Sequence, residues 1–284
     1  MDERTTLRVP GAREGGSAHA RGMKAIHLGT SGYVYKHWKG LFYPAGLPAN
    51  RWLPYFARVF ATVELNAPFY RLPTADAVDG WREQTPAGFK FACKGSRYLT
   101  HMKRLTDVGE GLERYFNVIL RLGNKLGPVL WQLPPHMKKP DPERLNRFLA
   151  ALPKGVQYVV EFRDAAWYHE EVLEVLDRRG AAVCEHDLVP VPPPRLTGGF
   201  RYVRFHGAGL RYEGRYGREA LWRVACDLDA WRRKGRTAWV YFNNDLKGHA
   251  LLDAFDLAEL LGHVKVRPPP DMRRPSETEE SRTA

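Results

Sequence analysis

The sequence predicts an α/β fold, a TIM-like (β/α)8 barrel that is irregular at its sixth βα connection. Three observations predict it. Eight short apolar runs of strand length recur along the chain, helix-length amphipathic segments stand between most of them, and each run ends in polar, chemically capable residues. Repeated strand–helix alternation implies a parallel sheet, and eight repeats favour a closed barrel over an open doubly wound sheet.

The first run, Ala25–Gly29, delivers Thr30-Ser31-Gly32. A helix over Asn50–Phe60 follows an Asn that can cap it and places Trp52, Tyr55, Phe56 and Val59 on one face. Thr62–Leu65 carries Glu64 and leads to Asn66; a helix over Thr74–Gln84 starts with Thr after Pro73 and presents Val78 and Trp81. Phe89–Cys93 leads to Lys94-Gly95-Ser96, and the segment Gly111–Leu126 repeats apolar residues at helical spacing. Pro128–Trp131 ends at Gln132, and Asp141-Pro142 reads as an N-cap followed by proline in the first turn of a helix reaching Leu152. Gln157–Phe162 brings Glu161 and Arg163; the helix Trp167–Arg179 stops at Gly180, a glycine suited to the residue past a helix end. Ala181–Glu185 leads to His186-Asp187. The stretch from Leu188 to Gly199 is crowded with proline, which forbids a regular helix, and is near the minimum of about 10–12 residues for a parallel crossover. Tyr202–Phe205 and Thr237–Phe242 end in Arg204-Phe-His206-Gly207 and Asn243-Asn244-Asp245, each followed by a helix, Arg218–Lys234 and Gly248–Leu261.

These elements bound a folded domain over residues 25–262 of 284. Residues 1–24 are rich in Gly and Arg without a signal core, and residues 263–284 are rich in Pro and charge; both are expected to be disordered. No stretch approaches the roughly 18 apolar residues of a membrane helix, so no membrane partner is expected. Cys93, Cys184 and Cys226 are isolated thiols without metal-ligand spacing, which suits a reducing, cytoplasmic setting. The formal net charge is +12, but the basic residues are spread along the chain. A solvated arginine-rich surface accounts for that, so nucleic acid as a partner is weakly supported.

There is no GxxxxGK[ST], no GxGxxG after a strand, no HExxH and no GxSxG, which excludes the standard P-loop, dinucleotide, zincin and hydrolase-elbow readings. Chemistry therefore falls to the strand ends, which a parallel barrel gathers on one face. Glu64 and Asn66 alternate, so both can point inward; Glu64 suits a base, a metal ligand or an orienter of Lys94, and equally a buried carboxylate paired with a barrel arginine. Glu161 and Arg163 repeat that pattern and suit either an ion pair or substrate binding. His206, beside a glycine, suits proton transfer near neutrality. Lys94 suits an anchor for an anion. Asn243 and Asn244 offer amide donors and acceptors, or a turn. His101, in a long loop, can also reach the mouth.

At this point the residues resemble a known family. Gly29-Thr-Ser-Gly32-Tyr-x-Tyr35-x-x-Trp38-x-Gly40-x-Phe42-Tyr-Pro44 and Val63-Glu-x-Asn66-x-x-Phe69-Tyr70 are similar to motifs of the DUF72 (YecE-like) family. So are Phe89-x-Phe91-x-x-Lys94, Leu99-Thr-His101, Leu130-x-Gln132-Leu-Pro-Pro135, Glu161-Phe-Arg163-x-x-x-Trp167, Tyr202-x-Arg204-x-His206-Gly207 and Tyr241-Phe-Asn243-Asn244, all in the family's order over about residues 26–262. At Tyr33 the family more often has Trp. The resemblance implies a TIM-barrel-like fold and no established reaction.

Two classes of function follow. In the first, the chain is a hydrolase or lyase for a small anionic or polar substrate. Glu64, Glu161 or Asp187 acts as acid or base with His206 assisting; Lys94, Arg163 and Arg204 neutralise the anion; Asn66, Gln132, Tyr241, Asn243 and Asn244 bind substrate; Trp38, Phe69, Tyr70 and Trp167 wall the pocket. No cofactor is indicated, although a divalent metal on Glu64, Glu161, Asp187 and His206 would make it a phosphoesterase acting on nucleic acid. In the second class the same ring is a non-catalytic anion- or nucleotide-binding module.

Overall fold

The computed structural model describes residues 25–209, 212–270 and 272. The expected leader, and residues 271 and 273–284 of the expected tail, lie outside the described residues. Eight strands follow the apolar runs closely: β1 Ile26–Thr30, β2 Thr62–Leu65, β3 Lys90–Lys94, β4 Leu126–Gln132, β5 Tyr158–Glu161, β6 Ala181–His186, β7 Arg201–Phe205 and β8 Ala238–Phe242. Paired strands run parallel, in the order β1-β8-β7-β6-β5-β4-β3-β2. The seam between β1 and β2 is drawn together by a bridge of Ser31 to Glu64, with the Gly32 N–H donating to the Glu64 carbonyl at 2.8 Å. Gly29 permits that approach, since a Cβ there would stand 2.4 Å from the Thr62 carbonyl oxygen. The result is a nearly closed barrel with helices between its strands.

The helices are α1 Trp52–Val59, α2 Ala67–Tyr70, α3 Ala75–Glu83, α4 Gly109–Ile119, α5 Pro142–Ala150, α6 Glu170–Arg178, α7 Arg218–Arg233 and α8 His249–Leu261. Thr74 and Asp141 cap α3 and α5 through their side chains. Asn50 does not cap: it sits inside a 3-10 turn, Ala49–Arg51, and α1 starts after it. The helix expected to run to Leu126 gives way at Leu120 to a 3-10 stretch broken at Gly123, whose φ of 56° no α-helix accommodates. Trp167 lies in a separate turn capped by Asp164, ahead of α6.

No helix lies between β6 and β7. The proline-rich connection is fixed to β6 instead: the Thr197 hydroxyl accepts from the Val183 N–H and donates to the Ala181 carbonyl, both at 2.8 Å. Past α8, Val264 and Val266 pack against the core, so burial continues into the stretch read as tail.

Side chains alternate across each strand. One set fills the layer between strands and helices. The other fills the barrel interior, where Ala92, Leu130, Val159, Ala182, Cys184, Phe200, Tyr202, Trp239 and Tyr241 pack together. Among the described residues no helix is long and apolar enough to cross a membrane.

Candidate functional site

Above that apolar interior the strand ends supply a polar layer. Arg204, fully buried on β7, spans the lumen. Its Nε and Nη2 donate to Glu64 Oε1 at 3.2 and 2.8 Å, its Nη1 donates to Glu161, and Nη2 also reaches Ser31 Oγ at 3.3 Å. Ser31 and Tyr202 donate their hydroxyls to Glu64 as well, and Arg163 Nε donates to Glu161. Burial alone would raise both carboxyls. Burial is the largest single influence, but Arg204 together with Ser31 and Tyr202 at Glu64, and Arg204 together with Arg163 at Glu161, outweighs it and holds Glu64 below and Glu161 well below the carboxylate range. Two carboxylates and two guanidiniums thus compensate one another.

Over this layer opens a cavity of about 590 Å³, lined by Tyr35, His37, Asn66, Tyr70, Lys94, Tyr212, Asn243, Asp245 and Leu246. Lys94 is 7% exposed and its Nζ stands 4.2 Å over the Phe69 ring. Burial, then the Arg204 charge, push its ammonium down to about 8 against the pull of Glu161 and Glu64. Asn66 Nδ2 donates to Ser31 Oγ at 2.9 Å. Asp245 accepts from the Trp38 indole at 2.7 Å and faces His37 Nε2 at 2.9 Å. Burial pushes the Asp245 carboxyl up to about 8 despite the Trp38 hydrogen bond.

A second polar group lies behind the cavity. Asp187 takes the His206 backbone N–H on both oxygens, contacts His206 Nδ1 at 2.9 Å and accepts the Tyr216 hydroxyl. Those partners hold Asp187 below its usual range although burial would raise it. His206 is buried beside the Tyr212 ring; burial pushes its imidazole down to about 4, and its Nε2 has no hydrogen-bond partner among the described residues.

The structure thus brings Asn66, Tyr70, Lys94 and Asn243 to the cavity wall and sets Glu64, Glu161, Arg163 and Arg204 in the layer beneath. Gln132 ends β4 beside Glu161, in register with it. Four expected contacts sit elsewhere. Trp38 is buried behind Asp245, which it hydrogen-bonds. Trp167 stacks on Phe162 and donates to the Met137 carbonyl, on the outer side of the barrel. Tyr241 lies in the interior, its hydroxyl 2.7 Å from Thr62 Oγ1. Asn244 turns outward to Asp253 and the Gly214 carbonyl. The set Glu64, Glu161, Asp187 and His206 does not assemble as metal ligands: its glutamates face arginines, and no group of three His, Cys, Asp or Glu side chains suited to a metal exists among the described residues.

The sequence pattern of DUF72, a protein family of unknown function, matches residues 27–277. The chain belongs to the DUF72 family. It is 26% identical to the UPF0759 protein YunF of Bacillus subtilis over 252 residues, covering 77% of this chain and 89% of that one. It is 30% identical to the UPF0759 protein YecE of Escherichia coli K12 over 155 residues, 55% of this chain and 54% of YecE. The crystal structure of a DUF72 protein from Thermotoga maritima superposes with a TM-score of 0.76 at 29% identity, covering 84% of this chain and 99% of the other. A DUF72 protein from Enterococcus faecalis shares the fold, with a TM-score of 0.74 at 18% identity, covering 89% and 100%.

In this DUF72 barrel five site residues were given no role from sequence: Ser31 and Asp245, which were named only as polar strand-end residues, and Tyr35, His37 and Tyr212. Period-two alternation after β8 carried a signal for one of them: Asn243 lines the cavity, Asn244 turns away, and Asp245 returns to it. His37 had no comparable signal, because it sits in a loop turn, Lys36–Trp38, where neither strand nor helix period applies.

Proposed function

We propose that this DUF72 barrel binds a small anion in the cavity at its mouth and performs acid–base chemistry on it, of the hydrolase or lyase kind. The observation that carries this reading is the condition of Lys94. Its buried ammonium makes no hydrogen bond or ion pair among the described residues and rests only on the Phe69 ring. A buried cation without a counter-ion is costly, and an anion in the cavity would supply one.

The other groups divide the remaining work. His37 and Asp245 form the proton-exchanging pair: Asp245 retains a proton near neutrality, as a general acid must. Asn66 and Asn243 orient the ligand, and Tyr70 and Tyr212 wall it. Glu64, Glu161 and Arg204 serve as the scaffold beneath, since buried, ionised and paired carboxylates are poor proton donors. Arg163 is tied to that scaffold by one nitrogen.

Thermal unfolding of wild type and Lys94→Met against a panel of small anions tests the binding. At least one anion is expected to stabilise the wild type and not the variant. No stabilising anion, or equal stabilisation of both proteins, sinks the reading. For the bound anion, Asp245→Asn is expected to keep affinity and lose turnover; turnover at the wild-type rate removes Asp245 from the chemistry.

A further inference from the structure

We infer that the anion is a phosphomonoester, its phosphoryl group held by Lys94, Arg97, His101, His136 and Arg163 at the ends of β3, β4 and β5. This rests on the anion-binding reading above and adds which anion the mouth takes.

The three strands are neighbours in the barrel, so the loops that follow them converge. Lys94 ends β3. Arg97 and His101 belong to the segment after it, where Tyr98–Met102 forms a π-helical turn. His136 follows β4, and Arg163 follows β5. Phe69 organises the centre: Lys94 Nζ lies 4.2 Å over its ring and His101 meets it edge-on at 5.1 Å. Thr100 Oγ1 engages His101 Nδ1 at 2.8 Å, which leaves Nε2 for a ligand.

The charges of this cluster are not balanced from within the protein. Among the described residues Lys94, Arg97, His101 and His136 make no ion pair, and Arg163 pairs only with Glu161, which Arg204 shares. Some arginines elsewhere in this chain do find carboxylates: Arg121 has Asp79, Arg195 has Glu170 and Asp177, and Arg201 has Glu185. Burial first, then Lys94, Arg97, His136 and Arg163, push the His101 imidazole down to about 4. Three cationic side chains, Lys94, Arg97 and Arg163, with the imidazole of His101 neutral at that value and His136 beside them as further hydrogen-bonding groups, exceed what one carboxylate can engage. They suit a dianion with three terminal oxygens, each able to take more than one charge-assisted bond.

The backbone agrees. Arg104, Leu105 and Asp107 follow the π turn with φ of 47°, 67° and 47°, left-handed values that non-glycine residues seldom adopt. Such strain and π turns both concentrate at ligand sites. This location differs from the phosphate site common in β/α barrels, which uses the loops after strands seven and eight.

The test is isothermal titration calorimetry of the full chain with inorganic phosphate, and separately with acetate, near neutral pH. Phosphate is expected to bind. Arg97→Ala, at an exposed position, and His101→Asn should each weaken it about tenfold, near the lower limit for one charge-assisted hydrogen bond. Lys94→Met should abolish binding of both anions. Arg236→Ala, just before β8 at the opposite end of the barrel, should bind phosphate as wild type does. Absence of phosphate binding, or unchanged binding in Arg97→Ala and His101→Asn, overturns the inference. Lys94-dependent acetate binding without phosphate binding overturns it while leaving the anion reading intact. Lys94→Met binding both anions like wild type overturns both.

Discussion

His37 Nε2 stands 2.9 Å from Asp245 Oδ2 at the rim of the barrel, and both side chains line the same cavity. The two residues lie at opposite ends of the domain in sequence. They meet because β1 and β8 pair in parallel, so the loops after them leave from the same face. Burial raises the Asp245 carboxyl from 3.8 to about 8. A carboxyl whose folded pKa is raised binds more protons when folded, so stability falls as pH rises between those values.

The first prediction follows from that sign. Asp245→Asn removes the penalty of ionising the buried carboxyl. The variant should match wild type in acid and exceed it in mild alkali, by on the order of a few kcal/mol at most. Urea unfolding of both proteins across pH measures this, and a stability difference that stays flat with pH contradicts the raised carboxyl.

Lys94 gives the opposite trend. Its folded pKa is lowered from 10.5 to about 8, so its cost to the empty protein is full below 8 and disappears as pH rises to the ordinary lysine value. Lys94→Met should therefore stabilise the empty protein at neutral pH by about 1–3 kcal/mol. Chemical denaturation without added anion is the measurement; a destabilised variant would show that the ammonium already has a favourable partner.

Arg204 should be far less tolerant. Arg204→Met leaves Glu64 and Glu161 buried without their shared cation and should cost about 3–5 kcal/mol. Because both carboxyls are held low, their contribution is fully present above the ordinary carboxylate value of 4.5 and is lost as pH falls through their lower folded values. Acid titration followed by circular dichroism should show the variant losing much of that acid dependence; a wild-type acid profile in the variant would argue against the pairing.

The seam offers a steric test. In Gly29→Ala the new methyl would meet the Thr62 carbonyl oxygen, which is backbone and cannot rotate away. A loss of about 2 kcal/mol or more in urea unfolding is expected. Gly109→Ala, with open space at its Cβ, is the comparison and should escape this steric cost.

Most of the fold was legible because the apolar runs are short, separated and followed by turn chemistry, and because proline removes a helix as plainly as it does between β6 and β7. The site was legible in direction but not in depth. Alternation marks Glu64, Glu161 and Arg204 as inward-facing, yet nothing local distinguishes a side chain open to the cavity from one a layer below, engaged by partners over a hundred positions away. Tyr202 reaching Glu64 is such a case. Trp167 misled for a related reason: a large aromatic after a strand end reads as a pocket wall, but its ring completes the outer packing on Phe162.

The arginine on β7 has a further consequence. Its contacts to Ser31, Glu64 and Glu161 join β7 to residues borne by β1, β2 and β5 across the lumen. Slipping any of those strands by one residue would turn its partner away from the interior and strand a charge in a dry space. A single side chain therefore acts as a proofreader of strand alignment, favouring one stagger of the barrel over its neighbours.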